Sequence, residues 1–124
     1  MTNQKPLTNR KRGEFAVELA GKWHLLRANF ANIALFEENV GLGIYELAAN
    51  ISDNKVKISD IVQVIYCFLD DKTVLTQDEI FYTLIESGTE AQMKILTEFL
   101  AVMFNVDPNA ASNNESQSND KKKK

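Results

Sequence analysis

Cysteine is almost missing from this chain, and its scarcity sets the first boundary. The single residue, Cys67, lies in the apolar run Ile61-Val62-Gln63-Val64-Ile65-Tyr66-Cys67-Phe68-Leu69. One thiol excludes an internal disulfide and a multi-thiolate zinc site, and it suits a reducing cytosol. Histidine is equally scarce: His24 stands alone between Trp23 and Leu25 and reads as an ordinary strand residue. A nucleophilic Cys67–His24 pair would need a cleft and an orienting acid, whereas the neighbours of Cys67 look like core. No apolar run is long enough to span a bilayer. The opening from Met1 to Arg12 is polar and basic with no apolar stretch behind it, so no secretory leader is expected.

Other chemistries are also short of residues. The paired acids Glu37-Glu38, Asp70-Asp71 and Asp78-Glu79 are neighbours in sequence, and neighbours on a helix point apart, so they read as solvated surface or first-turn charge. Asp70-Asp71-Lys72-Thr73 lacks the spaced acids and the glycine of a calcium loop. Gly41-Leu42-Gly43 lacks the lysine and the strand-to-helix setting of a phosphate loop and reads as a helix break. Catalysis, a metal and a cofactor are therefore not expected.

What is present is an average globular composition, with 44% hydrophobic and 25% charged residues among 124, enough for one domain with one core. The net charge of −3 is unevenly spread. Residues 1–12 carry four basic side chains and no acid, residues 13–106 carry six basic against fourteen acidic, and residues 107–124 carry four lysines against three acids. An acidic body is a poor match for phosphate backbones, so no nucleic-acid partner is expected. Three segments follow: a flexible basic arm at 1–12, a single domain at 13–106, and a polar tail at 107–124 with too little apolar content to offset the entropy of ordering it.

Within the domain, Phe15, Val17 and Leu19 alternate with polar residues and predict one strand. Ala20-Gly21-Lys22 supplies a turn and Trp23 to Ala28 a second strand, giving a hairpin that needs helices against its apolar face. Asn29 caps a helix with Phe30, Ile33, Phe36 and Val40 along one side, ended by Gly41 and Gly43. Ile44, Leu47, Ala48 and Ile51 mark a second helix. Ser59 caps a nearly all-apolar third from Asp60 to Leu69. Thr76-Gln77-Asp78-Glu79 is a capping box for a fourth helix presenting Ile80, Phe81, Leu84 and Ile85. Thr89-Glu90-Ala91-Gln92 is a second box for a last helix with Ile95, Leu96, Phe99, Leu100 and Met103 inward. The fold class is α+β, a hairpin on about five short helices, mostly helical.

The remaining signal is apolar surface. Met93, Val102 and Phe104 fall outside the main stripe of the last helix and either complete the core, the reading favoured, or form an adaptable contact face, and Trp23 and Tyr82 suit either core or an interface anchor. These five residues are the candidate protein-binding set.

The segment from Asn9 to Lys22, with its Arg12-Gly13-Glu14 opening and Gly21 turn followed by Leu25-Leu26-Arg27, resembles a family of short proteins from gene transfer agents and related prophages. Members open with a similar N-x-x-R-G-E-x-x-x-x-L-x-G strand and turn. The likeness continues through Ala34-Leu35-Phe36-Glu37-Glu38, the Ser59 to Leu69 segment and Leu96 to Leu100, so it spans roughly Asn9 to Asn105. The long Asn/Ser/Lys tail departs from the pattern. Such proteins are encoded among tail genes and have been described as tail tube components and as tail assembly chaperones. The resemblance implies a chaperone of the bacterial cytoplasm that coats the helical tape-measure protein and brings tail tube protein to it. The alternatives are a permanent tube or adaptor subunit within the particle, or an unrelated small protein-binding regulatory domain. Such chaperone genes often use ribosomal frameshifting, and Lys121 to Lys124 can be written as an adenine-rich slippery tract. A coding sequence without that tract or without an open overlapping frame would end that idea, leaving a solubilising tail.

Overall fold

The computed structural model describes residues 4–104. The expected tail at 107–124, with its terminal lysines, lies outside the described residues. Strands β1 (Glu14–Leu19) and β2 (Lys22–Arg27) pair antiparallel, from Glu14 opposite Arg27 to Leu19 opposite Lys22. Alternation works as expected: Val17 and Leu19 are buried and Phe15 is half-buried on the same side. The two-residue connection needs positive φ at both positions, and Ala20 (φ 55°) and Gly21 (φ 78°) supply it. Alanine is the strained member of that pair, because its Cβ crowds the backbone in the left-handed region. Ala20→Asn is expected to raise stability by about 0.5–1 kcal/mol, read as a higher urea midpoint at unchanged m-value.

The expected loose arm is tied down before it reaches β1. Arg10–Arg12 form a 3-10 turn capped by the Asn9 side chain, and the Asn9 N–H donates to Glu14 Oε1 at 3.0 Å. Lys5 Nζ sits 5.5 Å from the Trp23 ring centroid, a cation–π contact.

Five helices follow: α1 (Phe30–Val40), α2 (Ile44–Ser52), α3 (Ile58–Phe68), α4 (Gln77–Ser87) and α5 (Thr89–Met103). Asn29 caps α1 through the Asn32 N–H, and Gly41 ends it in the left-handed conformation. The start of α2 is satisfied by carboxylates, with Glu46 accepting from the Gly43 N–H and Glu37 from the Ile44 N–H. The Thr76–Glu79 box is reciprocal, at 2.9 and 3.1 Å.

Four local expectations are corrected. Ser59 does not cap α3; the helix starts two residues earlier than expected, at Ile58, with Lys57 at the cap and no side-chain bond there. Thr89 does not open a second box. Gly88 stands at the α5 cap, and Gln92 turns away from its own helix to donate Nε2–H to the Leu84 carbonyl at 2.7 Å. The Leu84 carbonyl already accepts from the Gly88 N–H, so the bond chiefly pairs the buried Gln92 amide, a need that outweighs capping an exposed N–H. Phe30 is 85% exposed instead of inward, because α1 turns Asn32 and Phe36 to the core. Ile85 is likewise exposed, with Ile80 and Leu84 taking the inward places on α4.

Helix α3 is the centre, touching α1, α4 and β2, while α5 closes over β1, α2 and α4. Four phenylalanines run through the layers. Phe15 of β1 meets Phe99 of α5 at 5.6 Å, Phe99 meets Phe68 of α3 at 5.1 Å, and Phe68 meets Phe36 of α1 at 6.0 Å. The chain is thus stitched from its first strand to its last helix by ring contacts. The architecture is α+β and mostly helical, as the pattern of the sequence implied.

Candidate functional site

The Arg12-Gly13-Glu14 opening builds structure. The Gly13 carbonyl accepts from the Ala28 N–H at 2.7 Å, and at φ 75° a Cβ on Gly13 would lie 2.7 Å from the Ala28 oxygen. Glu14 Oε2 accepts from Arg27 Nη1 at 2.9 Å, and Arg27 Nε donates to Asp70 Oδ1 at 2.8 Å. Arg27 therefore ties β1 to the end of α3 across β2. Asp70 donates its N–H to the Leu25 carbonyl, and Asn32 Nδ2 donates to the Arg27 carbonyl, so the outer edge of β2 is covered at Leu25 and Arg27. Lys72 completes the cluster by donating to Asn32 Oδ1 and the Leu69 carbonyl, both at 2.9 Å. The Asn9 N–H foremost, and then Arg27, hold the Glu14 carboxyl below its usual range. Asp70 foremost, and then Glu14, hold the Arg27 guanidinium above its own. Glu14, Arg27, Asn32 and Lys72 are each engaged by a neighbour, so the motif acts as a clamp on the hairpin.

Cys67 is buried, its thiol pushed up by desolvation, with Asn39 and Gln63 at 3.7 Å. A raised thiol pKa leaves little thiolate near neutral pH, so Cys67 packs and does not attack. Among the described residues no three His, Cys, Asp or Glu side chains gather as a metal site, and no helix is long and apolar enough to cross a membrane.

A groove of about 440 Å3 lies between the tip of the hairpin and α4, and a larger, more open recess of about 530 Å3 lies between Tyr66 and the start of α4. Leu19, Ala20, Lys22 and His24 line the groove from the hairpin, Val74 and Leu75 from the loop before α4, and Glu79, Tyr82, Thr83 and Glu86 from α4 itself. The α4 residues fall at i, i+3, i+4 and i+7, one continuous stripe on the helix face beside the buried Ile80 and Leu84. Tyr82 is 64% exposed and Val74 47%, so apolar surface faces solvent here. A smaller hollow of about 170 Å3, lined by Trp23, His24, Leu25 and Val74 among others, shares His24 and Val74 with the groove. Trp23 and Tyr82, two of the five residues read from the sequence as protein-binding, thus border adjoining recesses.

The other three are placed elsewhere. Val102 is only 2% exposed and is removed from the contact set, since a residue withdrawn into the core cannot anchor a partner. Met93 packs half-buried against the core. Phe104 also packs against the core and stacks on the exposed Tyr45 of α2 at 5.5 Å and 12°. Tyr45, Val74 and Glu86 were not singled out by sequence reading, and Glu79 only as a capping and first-turn acid. The i, i+3, i+7 spacing of Glu79, Tyr82 and Glu86 on the outer face of a capped helix was the signal that could have found the groove wall.

His24 is the one strained group beside it. Its ring is half-buried, yet Nε2 is sealed from solvent with no hydrogen-bond partner, and desolvation, aided by Lys22, holds the imidazole below its ordinary 6.5. The unfolded chain therefore takes up this proton more readily than the folded one. The stability that neutral His24 contributes is complete above pH 6.5 and is lost as pH falls from there toward the depressed folded value. Urea midpoints should decline across that window in the native chain, and His24→Gln should flatten the decline. Glu14 contributes separately, above its unfolded value of 4.5, and that part is lost only at lower pH. No family model, curated protein or solved structure matches the chain.

Proposed function

We propose that this chain is a non-catalytic protein-binding domain that acts in the assembly of a phage-like tail, as a chaperone for the tape-measure protein and the tail tube protein. The observation that carries protein binding is the groove at α4, where Tyr82 and Val74 stand exposed beside a fully formed core that does not need them. The tail assignment rests on the resemblance of the Asn9 to Asn105 segment to the gene transfer agent and prophage family. A recess of this size suits a modest, reversible contact, as delivery of a subunit followed by release requires. Among the described residues, a single hairpin of two six-residue strands favours this reading over a tube subunit, which would supply long strands to a ring-shaped barrel.

The test is co-purification of the tagged full chain with the products of neighbouring tail genes, run beside mass spectrometry of finished particles. Capture of a long helical partner together with absence from particles is the expected result, placing the protein in the cytoplasm of the producing cell. Stoichiometric presence in particles would make it a permanent tail subunit instead.

A further inference from the structure

We infer that the groove between the hairpin tip and α4 receives an amphipathic helix whose apolar ridge is flanked, on the α4 side, by two lysine or arginine side chains. The inference rests on the protein-binding reading above and gives it a site and a partner chemistry. Its first support is charge. Residues 13–106 carry fourteen acidic side chains against six basic ones, and α4 contributes Asp78, Glu79 and Glu86 with no lysine or arginine. Of these, Glu79 and Glu86 line the groove on either side of Tyr82 and Thr83. Seven residues of helix place the two carboxylates about 10 Å apart along the groove. An apolar ridge meeting Tyr82, Val74, Leu75 and Leu19 therefore brings its flanks beside two acids two turns apart. Lys22 on the hairpin wall is the groove's own cation, so it directs an incoming base toward α4.

The backbone supplies the second support, and it selects a helix over an extended segment. One wall is the flank of α4 and the other is the closed turn of the hairpin at Ala20, and neither presents a row of free N–H and C=O groups. Lys22 and His24, the β2 residues that line the groove, lie opposite Leu19 and Val17 of β1 in the hairpin ladder, and farther along β2 the Leu25 and Arg27 carbonyls are taken by Asp70 and Asn32. An extended peptide would leave its backbone unpaired in such a groove, whereas a helix satisfies its own.

The probe is a designed helical peptide of about 18 residues with a leucine ridge and lysines at i and i+7, set against the same peptide with glutamates there. Binding is followed by amide shifts of the 15N-labelled full chain and by fluorescence of its single tryptophan, Trp23. The lysine peptide is expected to shift residues around Leu75, Tyr82 and Thr83 and to bind about tenfold tighter than the glutamate peptide at low salt. Tyr82→Ala should weaken it about tenfold with an unchanged circular dichroism spectrum. Glu86→Lys should narrow or reverse the preference between the two peptides, a readout that a merely structural role would not move. Tyr45→Ala, on the separate Phe104 patch, should leave binding as it was. Equal binding of both peptides, shifts centred on Tyr45 and Phe104, or indifference to both groove substitutions would overturn the inference. The two readings separate cleanly: tail proteins captured undiminished by Tyr82→Ala and Glu86→Lys would sink the groove and spare the tail function. Groove-dependent peptide binding without any tail-protein capture would do the reverse.

Discussion

Phe99→Ala is expected to destabilise the domain by about 3–5 kcal/mol, the range for emptying an aromatic site in a close-packed core. Phe99 is 1% exposed and touches both Phe15 and Phe68, so its loss breaks the ring contacts that join β1 and α3 through α5. Folded domains are stable by only about 5–15 kcal/mol, so the variant should show a large fall in urea midpoint and weakened near-UV signal. Phe99→Leu keeps most of the volume and should lose clearly less. A midpoint for Phe99→Ala close to that of the native chain would mean that α5 does not pack on the hairpin as described. This substitution also says nothing about binding, because it removes the scaffold on which any contact surface stands.

Gly13→Ala is expected to cost at least about 2 kcal/mol, and the reason is separable into two parts. The residue sits at φ 75°, where any Cβ is strained, and here that Cβ would also lie 2.7 Å from the Ala28 oxygen. Gly21 is the natural comparison: it has a similar φ of 78° but nothing within 4 Å of the added carbon. Gly21→Ala should therefore cost only the conformational strain, about 1 kcal/mol. The excess for Gly13→Ala over Gly21→Ala, read from parallel urea titrations, measures the closeness of the two chains at Gly13 and Ala28. Equal losses at the two glycines would show that the approach relaxes freely. The excess has a structural consequence, since pushing Gly13 away would also strain the neighbouring Glu14–Arg27 pair and with it the tie to Asp70.

The hairpin clamp and the groove divide the chain's conspicuous residues between stability and contact. The Gly13 backbone and the Glu14 and Arg27 side chains are largely spent on neighbouring groups of the hairpin and its flanks. The outer stripe of α4, with exposed Tyr82 between Glu79 and Glu86, has no comparable internal role apart from the cap that Glu79 gives Thr76. Substitutions at Tyr82 and Glu86 should accordingly change binding with little effect on folding.

Much of this was legible in the chain alone. The hairpin from Phe15, Val17, Leu19 and the Ala20-Gly21 turn, the Asn29 cap, the Gly41 stop and the Thr76 box are all set by residues within four positions of one another, where local sterics and hydrogen bonding decide. Periodicity likewise gave five helices and the buried status of Phe36, Leu47, Ile80, Leu84, Leu96 and Phe99. It could not say which of two apolar candidates on one helix faces inward, because a stripe has an edge and only the neighbour it packs against fixes the rotation. Phe30 and Ile85 stand outside for that reason, and Val102 stands inside. Gln92 abandoned a local capping role for a carbonyl eight residues away, a partner within reach only once α4 and α5 are packed against each other. The groove is of the same kind, since Lys22 and Glu86 are distant in sequence and meet only when the hairpin is laid beside α4. The sequence by itself thus determined the elements, several of their ends and the acidic character of the body, through interactions a few residues long. Only the tertiary structure decided which apolar side chains were left outside and which acids they stand among, because that depends on how the helices are rotated against each other.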